Sequence, residues 1–140
     1  MKYPLKALAL AAAVAAISLP ATAQENVRWG IPMSFGSNLT ALGDTMPWVS
    51  DHLKKISGGT VNLQVFEPGK LVPALGIFDA VSSGKVEAGY SFMGYELGKV
   101  PVSAIFGALP FGMETPQFAA WMYFGGGDAL LKEAYKPHNV

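Results

Sequence analysis

Short stretches of the chain alternate apolar and polar positions at the spacing of a strand. In VRWGIPM, Val27, Trp29 and Ile31 alternate with Arg28 and Gly30, which is the period of a strand with one buried face. TVNLQVF and VEAGYSF repeat this pattern, and the mostly apolar SAIFGALPF indicates a strand that is buried on both faces. We therefore predict strands at residues 27–33, 60–66, 86–92 and 103–111.

The segments between these strands have helical spacing. From Leu39 to Ile56, apolar residues recur every three or four positions and so share one helix face. Ser37 or Asn38 is the expected N-cap of this helix, and Pro47 should kink or split it. Further helices are predicted from Pro73 to Gly84, over 115–124, and after the glycines within 125–135.

This alternation of strands and helices with short links predicts the α/β class, with a parallel or mixed sheet flanked by helices. The connections should be right-handed crossovers. Ligands of such sheets bind beyond the carboxyl ends of the strands. We therefore expect binding residues in the loops SFGSN, FEPGKL, SFMGYEL and LPFGME.

The first 23 residues are predicted to be a secretory signal peptide, so that residues 24–140 form the mature part. Lys2 and Lys6 charge its start, LALAAAVAAISL is its apolar run, and the final ATA fits the small-x-small cleavage rule. An N-terminal membrane anchor is the less favoured reading, because a membrane span needs about 20 apolar residues. We expect a periplasmic protein that does not span the membrane after cleavage.

Charge and cysteine content change the picture further. Removing Lys2 and Lys6 from the ten basic side chains leaves eight, against ten acidic ones, for a net charge of −2. Nucleic-acid binding is not expected, since it requires a basic surface. The chain has no cysteine, so the exported protein must be stabilised by an ordinary core without disulfides.

Side chains suited to catalysis are few. His52 lies among charged helix residues and His138 lies in the C-terminal tail, so both should be exposed, without partners at metal-ligand spacing. Glu67 and Glu96 follow the second and third strands and could act as an acid/base pair. An exported enzyme that acts on a small carboxylate is therefore the alternative function. GGGD at 125–128 could bind an anion, although a joint between two helices is the favoured reading.

Aromatic residues gather at the predicted strand ends. Aromatic walls with a few polar groups form clefts for small molecules, although most of these rings could equally belong to the core. Tyr95 is the strongest candidate, because a hydroxyl in a loop needs a polar partner. The set comprises Phe35, Phe66, Phe92, Tyr95 and Phe111.

The sequence from Ser57 to Met113 resembles the solute-binding proteins of TRAP transporters, of the DctP type. The shared features are SGG before the second strand, the GKLVP turn, DAVSSGKVEAGYS, the Tyr-x-x-Gly-Lys element and LPFGM. The following AAWMYFGGGDALLKEAY is similar to the branch that binds 2-oxo acids and related small monocarboxylates. The resemblance covers residues 27–136.

The resemblance implies a two-lobed, venus-flytrap protein of the periplasm, which binds a small organic acid and delivers it to a TRAP membrane permease driven by an ion gradient. Residues 24–140 would be the first lobe, with the second lobe largely absent, because family members are longer. Their carboxylate-clamping arginine belongs to the second lobe, and Arg28 does not match it. The family implies no cofactor, except that the 2-oxo acid branch binds a metal ion with residues from the later part.

The resemblance also implies which residues face the substrate. Phe35 and Ser37 match the first substrate-side loop, Glu67 begins the loop after strand two, and Tyr95 matches the aromatic position after strand three. Tyr95 would donate its hydroxyl to a carboxylate or keto oxygen, and Phe35 would form an apolar wall. No catalytic residue and no metal ligand is expected, and half a cleft should bind pyruvate too weakly to measure. A self-contained interaction domain is the third hypothesis.

Overall fold

The computed structural model describes residues 25–107 and 109–140. The predicted signal peptide, residues 1–23, lies outside the described residues. None of the helices within these ranges is long and apolar enough to cross a membrane. The helices are α1 Thr45–Ile56, α2 Ile77–Ser82, α3 Ser103–Phe106, α4 Thr115–Phe124 and α5 Gly127–Tyr135, with 3-10 turns at Ala74–Gly76, Met93–Glu96 and Lys136–His138.

Two parallel strands form the centre of the described structure. β1 is Val27–Pro32 and β2 is Val61–Phe66, and the register places Val27 opposite Val61. Directly after β1, Met33 forms an isolated parallel bridge with Tyr90, on the side of β1 that faces away from β2. The chain therefore has the predicted α/β arrangement, in which helices flank a parallel sheet.

Helix α1 begins six residues later than its apolar spacing suggested. Its N-cap position is Asp44 rather than Ser37 or Asn38, and the segment before it forms turns. Pro47 lies in the first helical turn, where a missing N–H costs nothing, so it marks the start of the helix instead of a kink. At the other end, Gly59 donates to the carbonyl of Lys54 (2.8 Å) in the predicted left-handed cap.

The predicted third strand, 86–92, is wrong except at Tyr90. The Tyr90 N–H donates to the Pro32 carbonyl and the Tyr90 carbonyl accepts from the Ser34 N–H, both at 2.9 Å. Three residues earlier, the Glu87 carboxylate accepts from the Gly30 N–H (3.4 Å). This side-chain contact replaces a backbone ladder bond, so the segment and β1 do not continue as a strand pair.

The predicted fourth strand, 103–111, is also wrong. Ser103–Phe106 form the helical turn α3, Gly107 follows it, and Phe111 has a positive φ of 60°. Short apolar runs do not separate strands from buried helix segments by periodicity, and here the residues form local helical bonds. Ser103, with a relative exposure of 0%, and Phe106 are buried by this turn.

The core lies between α2 and the C-terminal helix. Phe78 of α2 meets Tyr135 of α5 edge to face with ring centroids 5.9 Å apart, and Val100 completes this buried cluster. The Lys99 ammonium lies 5.4 Å above the Phe78 ring and pairs with Asp79 at 2.7 Å. This core supports the segment that follows Tyr90 and therefore the loop that carries Tyr95.

Candidate functional site

Three segments meet at the carboxyl ends of the parallel strands. The first follows β1 and carries Phe35 and Ser37, the second follows β2 and begins with Glu67, and the third follows Tyr90 and carries Tyr95. This is the edge at which α/β sheets bind ligands. The structure thus places all four predicted substrate-side residues at one end of the sheet.

Phe35 is the centre of an aromatic cluster at this edge. Its ring lies 6.1 Å from Tyr90, edge to face, and 6.3 Å from Tyr95. Tyr95 in turn meets Phe92 edge to face at 5.5 Å. These distances and tilts are those of favourable aromatic pairs, so the rings position one another across two loops.

The cluster is open on one side. Phe35 and Tyr90 are half-buried, whereas Tyr95 keeps 47% of its surface exposed. Within the described residues the Tyr95 hydroxyl has no hydrogen-bond partner. The Tyr95 hydroxyl is therefore free to donate a hydrogen bond to a ligand oxygen.

Two serines tie the loops together beneath the rings. The Ser34 hydroxyl donates to the carbonyl of Ala74 (2.8 Å) and lies 3.0 Å from the Ser91 hydroxyl. Sequence reasoning missed both serines, although each directly precedes or follows an aromatic residue of the cluster. Their bonds fix the β1 loop to the segment after Tyr90, which keeps Phe35 near Tyr95.

Ser37 and Glu67 form the other predicted pair. The Ser37 N–H donates to a carboxylate oxygen of Glu67 at 3.3 Å, across the loops that follow β1 and β2. Both residues are exposed, so this carboxylate orders the first loop while remaining in contact with solvent. The remaining aromatic candidates do not join the cluster contacts: Phe66 is half-buried at the end of β2 and Phe111 is fully exposed.

Glu67 and Glu96 do not share an environment. Glu96 is buried, and its charge interacts with Lys99, Asp79 and Tyr135, whereas Glu67 is exposed and accepts from the Ser37 N–H. Burial raises the pKa of the Glu96 carboxyl, the Lys99 ammonium opposes that increase, and Asp79 adds to it. The acid/base pair that supported the enzyme alternative is therefore not assembled by the described residues.

The two histidines differ from each other. His52 is exposed as predicted and stacks on Trp48 of the same helix, with centroids 3.8 Å apart. His138 is half-buried, in contrast to the prediction, because its ring packs 5.5 Å from Phe78 and its carbonyl accepts from the Ser82 hydroxyl. In residues 25–107 and 109–140, no three His, Cys, Asp or Glu side chains gather as metal ligands would.

The glycine run at 125–128 forms the joint between two helices. Helix α4 ends at Phe124, Gly126 adopts a φ of 89°, and α5 begins at Gly127. The positive φ lets the chain reverse within two residues, as glycine allows. This geometry confirms the favoured reading of the run as a connection.

The fold is that of a lobe of a bacterial solute-binding protein. Residues 35–139 match the model of the DctP family, described as bacterial extracellular solute-binding protein, family 7. The chain belongs to this family. The TRAP resemblance inferred from its motifs is thereby confirmed.

Similar proteins include one curated relative and two crystal structures. The chain is 36% identical over 116 residues to the monocarboxylate 2-oxoacid-binding periplasmic protein of Nostoc sp.. The aligned residues are 82% of this chain and 31% of the relative. A TRAP solute-binding protein from Pseudoalteromonas atlantica, with bound sodium and pyruvate, aligns with a TM-score of 0.76, 35% identity and 81% coverage of this chain. One from Bordetella bronchiseptica, with copurified calcium and picolinate, aligns with a TM-score of 0.78, 30% identity and 82% coverage.

The chain spans about a third of the length of each of these relatives. The aligned part is 31% of the Nostoc protein, 35% of the Pseudoalteromonas chain and 34% of the Bordetella chain. These relatives are solute-binding proteins, and the Nostoc protein is periplasmic. Their remaining two thirds have no counterpart among the residues of this chain.

Proposed function

We propose that the chain forms one ligand-facing wall of a periplasmic solute-binding protein, which captures a small organic acid such as a 2-oxo acid for a TRAP membrane permease. The observation that carries this proposal is the Phe35–Tyr90–Tyr95 cluster at the carboxyl ends of the strands. The bound pyruvate of the Pseudoalteromonas protein and the name of the Nostoc protein support the ligand class.

In this proposal the chain binds and does not catalyse. Phe35 forms an apolar wall, and the free hydroxyl of Tyr95 donates to a carboxylate or keto oxygen. Ser37 and Glu67 order the first loop through their shared hydrogen bond. A signal peptide over residues 1–23 would deliver residues 24–140, as the first lobe, to the periplasm.

The described residues contain no group of three His, Cys, Asp or Glu side chains that could hold a metal ion. Sodium or calcium accompanies the ligand in the two related crystal structures. Here the Glu67 carboxylate is engaged with the Ser37 N–H, and no cluster of three ligand side chains forms in the described ranges. A metal ion that accompanied the ligand here, as in those two structures, would therefore need ligands other than such a cluster.

A chimera tests the proposed function. This chain replaces the matching third of the Pseudoalteromonas protein, and pyruvate binding is measured by isothermal titration calorimetry. We expect saturable binding, and we expect Tyr95→Phe to weaken it by about tenfold, the value of one hydrogen bond to a charged oxygen. Tyr123→Phe, which removes a hydroxyl from α4 outside the aromatic cluster, is the matched control and should leave the affinity unchanged.

Two results would contradict the proposal. A chimera that melts cooperatively but binds neither pyruvate nor other 2-oxo acids would exclude the ligand class. Equal affinities of the Tyr95→Phe chimera and its parent would remove the proposed role of the Tyr95 hydroxyl.

A further inference from the structure

The turn that carries Tyr95 also carries a buried acidic residue. Tyr95 and Glu96 are consecutive in the 3-10 turn Met93–Glu96, yet Tyr95 keeps 47% of its surface exposed and Glu96 keeps only 5%. The turn therefore directs one side chain to the aromatic cluster and the next one into the core. The proposed ligand contacts leave Glu96 without a role.

Glu96 connects this turn to the core through both its backbone and its side chain. Its carbonyl accepts from the N–H groups of Lys99 (2.8 Å) and Val100 (2.7 Å), and Val100 belongs to the buried core cluster. Its side chain lines the same cavity as Tyr135 of that cluster, and its charge acts on the Tyr135 hydroxyl. A movement of Glu96 would therefore displace the turn, and Tyr95 with it.

The Glu96 carboxyl lies where ionisation is unfavourable. Among the described residues, the titratable groups around it are Lys99 after the turn, Asp79 of α2, Tyr135 of α5 and Glu87, which lines the same cavity. Lys99 is the cation of this set, and its ammonium pairs with Asp79 at 2.7 Å. A buried carboxylate without its own counter-charge is disfavoured in the core, whereas the neutral acid can remain buried.

We propose that Glu96 is a positioning residue of the ligand site, whose neutral carboxyl holds the Met93–Glu96 turn in the core so that the Tyr95 hydroxyl faces the ligand. When Glu96 ionises, the turn loosens from the core and Tyr95 loses its position beside Phe35. The site then binds its ligand more tightly at acidic pH than at alkaline pH. This inference rests on the proposed function and adds a pH dependence that the Tyr95 contacts alone do not predict.

The full chain alone tests the positioning role without any ligand. Hydrogen exchange of the ¹⁵N-labelled chain is measured by NMR at several pH values above 4.5, relative to the intrinsic exchange rate at each pH, because burial raises the pKa of Glu96 above 4.5. We expect the protection of the Lys99 and Val100 amides to fall by roughly threefold or more as Glu96 ionises, since both amides bond to its carbonyl. The Gly59 amide, which bonds to Lys54 at the end of α1, should keep its protection.

Glu96→Gln is the decisive variant in this measurement, because its amide has the size of the carboxyl and stays neutral at every pH. We expect it to keep the protection of both amides constant over the same pH range. Glu133→Gln, at an exposed position of α5, is the matched control and should show the pH dependence of the native chain.

The chimera that tests the proposed function measures the effect on ligand binding. We expect its pyruvate affinity to fall by roughly threefold or more between about pH 5 and about pH 8, and Glu96→Gln to abolish this fall. Glu96→Ala, which removes the anchoring side chain, should weaken binding by roughly tenfold at both pH values. If Glu96→Ala does not fold, the comparison of Glu96→Gln with its parent still decides the question.

The outcomes separate this inference from the proposed function. Pyruvate binding with one affinity at both pH values, or with an equal fall in the Glu96→Gln chimera, would overturn the positioning role and leave the proposed function intact. Constant protection of the Lys99 and Val100 amides in the native chain would overturn it as well. A chimera that binds no 2-oxo acid at either pH would instead contradict the proposed function, and the ligand role of Glu96 with it.

Discussion

Glu96 is a buried carboxyl whose protonation should change the stability of the fold. Its relative exposure is 5%, and burial raises its pKa above the ordinary value of 4.5, with Lys99 opposing the increase. Between 4.5 and the raised folded value, the folded state binds more protons than the unfolded state. The free energy of unfolding therefore falls as the pH rises through this window.

Glu96→Gln should remove this penalty, since the amide stays neutral at every pH. We expect the variant to unfold at a higher urea concentration than the native chain at pH 7, with the difference vanishing below pH 4.5. Urea titrations between pH 4 and pH 8 measure this. Glu133→Gln, at an exposed position of α5, is the control, and a Glu96→Gln profile parallel to the native one at every pH would contradict the assignment.

The hydroxyl of Tyr135 is a second buried polar group in the core. Its hydroxyl and that of Ser103 have no hydrogen-bond partner within the described residues. Burial raises the pKa of the Tyr135 hydroxyl, and the Glu96 charge raises it further. The phenol therefore stays neutral at pH 7 and contributes mainly through ring packing against Phe78.

Tyr135→Phe should stabilise the chain or leave its stability unchanged, because it deletes an unsatisfied buried hydroxyl and keeps the ring. We expect a gain of about 1 kcal/mol in the free energy of unfolding. Thermal and urea unfolding provide the measurement. A loss of more than about 1 kcal/mol would show that the hydroxyl has a partner that stabilises the fold.

At the scale of elements, α2 depends on the glycine that ends it. Gly84 has a φ of 70°, and the Lys85 N–H that follows it donates to the Ala80 carbonyl at 2.8 Å. Nothing lies within 4 Å of a Cβ built at Gly84, so a substitution there costs only backbone strain. A substitution at Gly84 therefore tests the backbone conformation of the glycine without changing the packing around it.

We expect Gly84→Ala to lower the free energy of unfolding by about 1–2 kcal/mol, the cost of a left-handed alanine. Gly98→Ala is the matched control, because its Cβ would also meet open space and its φ is not positive. The two variants are compared by urea unfolding under one condition. Equal stabilities would contradict the assigned cap.

The elements that sequence reasoning predicted well are those with local signals. β1, β2 and the C-terminal ends of α1 and α2 follow from alternation and from glycines with positive φ, which need no distant partner. The segments at 86–92 and 103–111 were predicted wrongly, because strand pairing depends on neighbours that no local pattern specifies. The meeting of Phe35 with Tyr95 was predicted as a shared strand-end edge, but the Ser34–Ser91 contact beneath it was not.

At the scale of the molecule, much apolar surface remains uncovered. Helix α4 carries FAAWMYF, which is apolar on every side of the helix, yet none of its residues is buried. Helices of this composition are normally enclosed by other elements. Tyr123 and Phe124 are 80% and 90% exposed, so α4 presents an uncovered apolar surface of the kind that marks an interaction site.

The aromatic edge is likewise open to solvent, and this leads to the final prediction. The cluster offers a ring wall and the Tyr95 hydroxyl, but the single arginine, Arg28, lies exposed in β1, outside the contacts of the cluster. Small-molecule sites enclose most of the ligand surface, and an anion needs several donors. We therefore expect the chain alone to show no saturable heat with pyruvate up to about 1 mM, where binding would be worth only about 4 kcal/mol. The chimera described above is the positive control under the same conditions, so clear saturation by the isolated chain would mean that its own residues suffice to enclose the ligand.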